Sequence, residues 1–110
     1  MTYKIGEEIR FSEGFEINGA LSGNTLTVKE GDRGYLDSRG NVHYTTGQAR
    51  GKIQSMKNEI EVKGYDYENI AKMIFKRLKN QFNLIEFLDD YDISERDFTE
   101  EIEEVLSDIL

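Results

Sequence analysis

The sequence predicts an α+β protein in which a small antiparallel β-barrel precedes two or three α-helices. Two observations carry this prediction. Nine of the ten glycines lie at or before Gly51 and the tenth is Gly64, so glycine turns punctuate only the first part of the chain. Beyond that point apolar residues recur at helical spacing. We therefore predict a barrel over residues 1–63 and an acidic helical region over residues 64–110, packed on it as one compact domain.

Short alternating or β-branched runs between turn residues predict the strands of the barrel. We expect strands over residues 5–11, 15–20, 25–29, 33–37, 42–45 and 52–62, the last of them open to a break near Lys57 and Asn58. Short strands at this spacing suit a small antiparallel barrel, which closes on itself and removes its own edges. The segment from Val28 to Asp37 resembles the strand–turn–strand unit of SH3-like barrels, and that resemblance implies an SH3-like fold.

Three amphipathic segments predict the helices. The first is expected over residues 67–81 with Asp66 as its N-cap, and the second over residues 84–90. Ser94 is expected to cap the third, over residues 95–109. On this last helix five apolar residues form one stripe that predicts burial, namely Phe98, Ile102, Val105, Leu106 and Ile109.

The net charge of −8 belongs entirely to the second part of the chain. Residues 1–63 contain nine basic and nine acidic residues, whereas residues 64–110 contain five and thirteen. A concentrated negative field attracts cationic surfaces and repels nucleic acid. Because the third helix is expected to be ordered, its carboxylates should form a defined array rather than a loose tail.

Two interpretations of this acidic array stay open. The first is a solvated helix face, with some carboxylates paired to Lys72, Lys76 and Lys79, each exposed pair stabilising by about 0–1 kcal/mol. The second is a docking face for a basic protein partner, or a mimic of nucleic-acid phosphates. The candidate partner-binding residues are Asp89, Asp90, Asp92, Glu95, Asp97, Glu100, Glu101, Glu103, Glu104 and Asp108.

The segment from Asp90 to Glu101 places oxygen ligands at positions 1, 3, 5 and 12 of a twelve-residue calcium loop. Position 6 of that loop requires glycine for a sharp turn, and here it is Glu95. The last part of the segment also belongs to the capped helix. We therefore predict no metal site and no cofactor.

Neither catalysis nor phosphate cradling is indicated. His43 is the only histidine, and no nucleophile signature accompanies it. The glycines near residues 19–23 lack the Gly-Lys-[Ser/Thr] of a phosphate-binding loop, so hairpin turns explain them better. We expect a protein that is not an enzyme.

Basic and aromatic residues of the barrel form an alternative site, for nucleic acid. Small barrels bind single strands through such patches, although the neutral barrel and acidic chain predict poor affinity. Its members are Arg33, Tyr35, Arg39, His43, Tyr44, Arg50 and Lys52. A further alternative is a structural or homo-oligomeric accessory protein that buries leftover apolar surface such as Phe82, Phe87 and Leu110 against another copy.

Three stretches are similar to small accessory proteins of bacterial phages and conjugative elements, a group that includes type II anti-CRISPR proteins. They are residues 31–53 (GDRGYLDSRGNVHYTTGQARGKI), 64–75 (GYDYENIAKMIF) and 97–104 (DFTEEIEE). This resemblance implies an inhibitor that occupies the positively charged nucleic-acid channel of a Cas9-type nuclease. It assigns no role to any single residue.

The chain has no cysteine and no apolar signal core near residue 1, so we expect it in the cytoplasm of a bacterial host.

Overall fold

The structure is a computed structural model that describes residues 2–18, 25–56 and 60–110. The chain divides into two compact units, Met1–Gly64 and Tyr65–Leu110. Along the described residues, eight β-strands come first and three α-helices follow. The predicted α+β class is therefore confirmed.

The strands are short and form three sheets. Strand β1 pairs with β8, β3 pairs with β4, and a four-stranded sheet has the order β2-β5-β6-β7. Neighbours in the four-stranded sheet are antiparallel, as are β3 and β4. The strand bounds are β1 (Thr2–Ile5), β2 (Glu8–Arg10), β3 (Phe15–Asn18), β4 (Thr25–Val28), β5 (Arg33–Leu36), β6 (Asn41–Tyr44), β7 (Ile53–Ser55) and β8 (Glu61–Tyr65).

The register of the four-stranded sheet decides which side chains lie on its outer face. Tyr35 is opposite Glu8 on one side and His43 on the other, and His43 is opposite Ile53. Side chains alternate between the two faces of a sheet, so the neighbours of these residues along β5 and β6 point to the other face. Those neighbours are all buried: Gly34, Leu36, Val42 and Tyr44.

One apolar core serves all three sheets of the first unit. Leu36, Val42 and Val28 are fully buried at its centre, together with Ala49 and the nearly buried Tyr44. Partly buried residues of β1, β2, β3 and β8 pack against this cluster, as do residues between the strands. The three short sheets are thus stabilised by common burial of apolar surface.

The predicted strand over residues 5–11 is wrong in its extent, because glycine interrupts it. Gly6 adopts φ +82°, a left-handed conformation that glycine tolerates. Its N–H donates to the Leu36 carbonyl at 2.7 Å, and the Leu36 N–H donates to the Glu7 carbonyl at 3.1 Å. The bend separates β1, which pairs with β8, from β2, which pairs with β5.

The predicted strand over residues 52–62 is also two strands. Strand β7 ends at Ser55, and β8 continues to Tyr65, beyond the expected end. The predicted break near Lys57 and Asn58 lies outside the described residues. The pairings among residues that the structure describes leave three separate sheets, so the closed barrel is not confirmed.

The three predicted helices are confirmed with their bounds: α1 (Tyr67–Gln81), α2 (Leu84–Asp90) and α3 (Glu95–Ile109). Asp66 caps α1 by accepting the Asn69 N–H at 3.0 Å. The Ser94 hydroxyl oxygen caps α3 by accepting the Asp97 N–H at 3.1 Å. Such side-chain acceptors satisfy backbone N–H groups that the first helical turn leaves unpaired. No helix in the described ranges is long and apolar enough to cross a membrane.

The apolar stripe of α3 is only partly covered. Phe98 packs edge-on against Phe75 of α1 with ring centroids 5.9 Å apart. Val105 and Ile109 nevertheless remain 54% and 75% exposed, so the expectation that the whole stripe is buried is wrong. The stripe is broad, and its contact with α1 leaves part of it exposed.

Candidate functional site

Helix α3 carries seven of the ten predicted partner-binding carboxylates in an ordered array. The Ser94 cap and an i,i+4 pair between Arg96 and Glu100, with Nε to Oε1 at 3.0 Å, stabilise its first half. Glu103 is half-buried, and the other six carboxylates are exposed: Glu95, Asp97, Glu100, Glu101, Glu104 and Asp108.

The side of α3 that adjoins α1 has mixed charge. A polar groove of about 470 Å³ lies there, with Lys72 and Arg96 among carboxylates of both helices. Lys72 donates to Glu68 of its own helix at 3.0 Å rather than to α3. The hydrogen bond and the charge of Glu68 raise the pKa of Lys72, with smaller contributions from other nearby carboxylates. Cations therefore partly balance the acids on this side.

Another edge of α3, away from this polar groove, carries a row of four carboxylates, which we call the acidic row: Asp97, Glu101, Glu104 and Asp108. Their spacing of four, three and four residues places them along one edge of the helix. At 1.5 Å of rise per residue the row is about 16 Å long. No member forms an ion pair with any residue in the described part of the chain. The row is therefore an uncompensated negative edge.

The three remaining predicted acids lie before α3. Asp89 and Asp90 are in the last turn of α2, and Asp92 follows with φ +54°; all three are exposed. Residues 95–101 are helical, which is not the conformation of a calcium-binding loop. Among the described residues, no group of three or more histidine, aspartate or glutamate side chains is arranged to hold a metal ion.

An apolar groove lies between α1 and α3, next to the acidic row. Its volume is about 400 Å³, and Glu101 is its one charged lining residue. The other lining residues are apolar: Ile74, Phe98, Ile102, Val105 and Leu106. The sequence contains a signal for this groove, because the stripe of α3 is wider than one helix–helix contact can bury. Helical periodicity alone predicts burial of the whole stripe and therefore does not predict the groove.

The predicted basic-aromatic patch is only partly assembled. On the outer face of the four-stranded sheet, Tyr35 stacks on His43 with ring centroids 4.7 Å apart and an angle of 12° between the rings. Arg33 is in β5 and lies 3.9 Å from the Glu8 carboxylate, which offsets its charge. The remaining cations are exposed in connecting segments: Arg39 between β5 and β6, and Arg50 and Lys52 between β6 and β7.

Tyr44 does not belong to this patch. It is adjacent to His43 in β6, so its side chain points to the opposite face of the sheet. There it is 2% exposed, packs against Phe11 and donates its hydroxyl hydrogen to Gln54. Burial raises the pKa of Tyr44. Its assignment to a surface patch was wrong.

Asp37 organises the outer face and was absent from the predicted site. One carboxylate oxygen accepts the N–H groups of Arg39 and Asn41, each at 2.9 Å, and the other lies 2.8 Å from His43 Nε2. Partial burial acts to raise the pKa of Asp37, but the His43 and backbone hydrogen bonds outweigh it and the net shift is downward. The sequence signal for this role is the turn Asp37-Ser-Arg-Gly-Asn41, in which aspartate bonds to backbone two residues ahead.

We expect Asp37→Ala to destabilise the first unit by about 1–3 kcal/mol at neutral pH, because the charged acceptor serves three donors. A carboxyl group whose pKa is lowered by folding stabilises above its unfolded pKa of about 4. That contribution is lost as pH falls through the lowered folded pKa. Urea unfolding at pH 7 and pH 3 measures it, with the exposed Glu30→Ala as control. A pH-independent difference between Asp37→Ala and the parent would contradict this account.

Comparisons with protein-family models, with curated proteins and with solved structures find no match for this chain.

Proposed function

We propose that this protein is a non-enzymatic binding protein, an inhibitor that engages a basic nucleic-acid-binding site on another protein through the acidic row. The observation that carries the proposal is the uncompensated charge of that row. Its four carboxylates have no cation partner within the described chain, whereas Lys72 and Arg96 pair with other acids. A partner's lysines and arginines would supply the missing positive charge.

The linear charge density of the row supports phosphate mimicry. One strand of duplex DNA carries a charge about every 3.4 Å, or about five phosphates over the 16 Å of the row. Four carboxylates over that length approach this density. The helix fixes the backbone of these carboxylates before binding, so little backbone conformational entropy is lost when the partner binds.

The resemblance to phage and conjugative-element proteins favours a Cas9-type nuclease as the partner and the cytoplasm of a bacterial host as the place of action.

An SH3-like arrangement of the first unit is part of the same proposal. The chain order supports it: a terminal strand pair (β1 with β8), an inserted hairpin (β3 with β4) and a three-strand meander (β5-β6-β7) over one core.

Charge reversal of Glu101, Glu104 and Asp108 to Lys tests the proposal. We expect the affinity for a Cas9-type ribonucleoprotein, and the inhibition of its DNA cleavage, to fall about 100-fold or more, because three attractive contacts become repulsive. Titration calorimetry and a cleavage assay measure the two effects. The matched control reverses three exposed glutamates of the first unit, Glu13, Glu16 and Glu30, with the same change in net charge. Equal losses in both triple variants would show a general charge effect and refute a specific row.

A second candidate function is single-strand nucleic-acid binding by the outer sheet face, favoured by the Tyr35–His43 stack. The two functions respond to different variants. An oligonucleotide that binds the parent, and loses affinity with Arg39→Ala and Arg50→Ala but not with the row reversal, would support this second function. Binding of the basic partner that is lost with the row reversal, but not with Arg39→Ala and Arg50→Ala, would support the inhibitor function.

A further inference from the structure

We propose that the apolar groove between α1 and α3 is the docking site for a cationic amphipathic helix of a protein partner. This inference rests on the proposed function, because it names the kind of segment that the acidic row engages. It adds an apolar contact to what would otherwise be a purely electrostatic one.

The groove has the chemistry of a helix-binding site. Five of its six lining residues are apolar, and the groove of about 400 Å³ is open at the surface beside Val105. The exposed apolar surface continues along α3 to Ile109, one helical turn further on. Grooves of this kind accept the apolar side chains that a bound helix presents at positions i, i+3, i+4 and i+7.

Charge complementarity selects a cationic helix as the occupant. Glu101 both lines the groove and belongs to the acidic row, so apolar and acidic surfaces are contiguous. A helix seated in the groove places its flanking residues beside the row. Lysine and arginine there would pair with Glu104 and Asp108, which have no cation partner among the described residues. An acidic flank would be repelled.

The same charges disfavour a second copy of this chain. Helix α3 holds seven carboxylates and one cation, Arg96. Two copies joined through their α3 grooves would bring two uncompensated rows together. Like charges at short range oppose such pairing, whereas a cationic helix neutralises the row.

The test uses the 110-residue chain and a synthetic peptide of about 18 residues, five helical turns. The peptide contains leucine at i, i+3, i+4 and i+7 and lysine elsewhere; an oligolysine of equal charge is the reference. Val105→Gln removes a groove contact without changing charge, and Gln is a better helix former than Val. Phe82→Gln is the control, since Phe82 is 69% exposed and does not line the groove.

Fluorescence anisotropy should show the amphipathic peptide binding more tightly than oligolysine. Val105→Gln should weaken the amphipathic peptide about fivefold to tenfold and leave oligolysine unchanged, as expected for losing part of one valine contact. Phe82→Gln should change neither. Row reversal should weaken both peptides.

Other outcomes separate this inference from the proposed function. If both peptides bind equally and Val105→Gln has no effect, the groove proposal is wrong while the acidic row stands. If neither peptide binds the parent, both proposals fail. If sedimentation shows a dimer that Val105→Gln dissociates, the groove is a self-association surface and a cationic helix is not its occupant.

Discussion

Gly34→Ala should destabilise the first unit by about 1–3 kcal/mol or more, the range for forcing an extra methyl group into a packed core. A Cβ at residue 34 would lie 2.7 Å from the His43 carbonyl oxygen and 2.8 Å from Val42 Cγ1. Neither atom can move cheaply. The oxygen belongs to the backbone of the paired strand β6, and Val42 is fully buried. The two strands would have to separate.

The effect is measured by denaturant unfolding followed through the NMR amide signals of β5 and β6, which report on the first unit alone. Gly14→Ala is the matched control, because its nearest contact would be the Val28 carbonyl oxygen at 3.3 Å and its φ is not positive. We expect the midpoint to fall for Gly34→Ala with an unchanged denaturant slope, and to fall much less for Gly14→Ala. Equal midpoints for the two variants would contradict the packing argument.

Gly47→Ala should lower the free energy of unfolding of the first unit by about 2–4 kcal/mol, from two sources, a backbone penalty and a steric contact. Its φ of +74° is left-handed, which penalises an ordinary side chain by about 1–2 kcal/mol. A Cβ there would also meet the Asp32 carboxylate at 2.5 Å. That carboxylate accepts the Lys29 N–H at 2.9 Å and the Thr46 hydroxyl hydrogen at 3.1 Å, so moving it loses hydrogen bonds worth about 0.5–1.5 kcal/mol each.

Gly51→Ala separates the two sources in the same connecting segment. Gly51 has φ +85°, and a Cβ there would have no atom within 4 Å. Its substitution should therefore show the backbone penalty alone, measured by thermal unfolding beside Gly47→Ala. Adding Asp32→Ala to both variants should cancel the excess cost of Gly47→Ala. If Gly47→Ala costs no more than Gly51→Ala, the carboxylate contact has no energetic role.

The helices were predictable because the interactions that delimit them are local. Asp66 and Ser94 each accept a hydrogen bond from an N–H three residues ahead, so both residues of each contact lie within one short stretch of sequence. The apolar spacing of α3 likewise predicted which residues share a face. For the bounds and the N-caps of the helices the sequence pattern and the tertiary structure agree.

The strands were less predictable because pairing partners are distant in sequence. Gly6 bends the chain so that consecutive strands join different sheets, and that choice depends on contacts with Leu36, thirty residues away. Tyr44 is a different case. Side chains alternate between the two faces along β6, so Tyr44 and the adjacent His43 lie on different faces of the sheet. This alternation is a local rule, and it excludes a single surface patch that contains both residues.

For the candidate site, the sequence by itself determined that α3 is an ordered, capped helix with an excess of carboxylates. It did not determine which carboxylates stay uncompensated, because ion pairing depends on where each cation lies in space. The pairs of Lys72 with Glu68 and of Arg96 with Glu100 are local, at i,i+4 spacing within one helix. The tertiary structure brings no cation to Glu101, Glu104 or Asp108 among the described residues, and it leaves Val105 exposed beside them. Packing against α1 buries only part of the broad apolar stripe of α3. The part that stays exposed forms an apolar groove beside the acidic row.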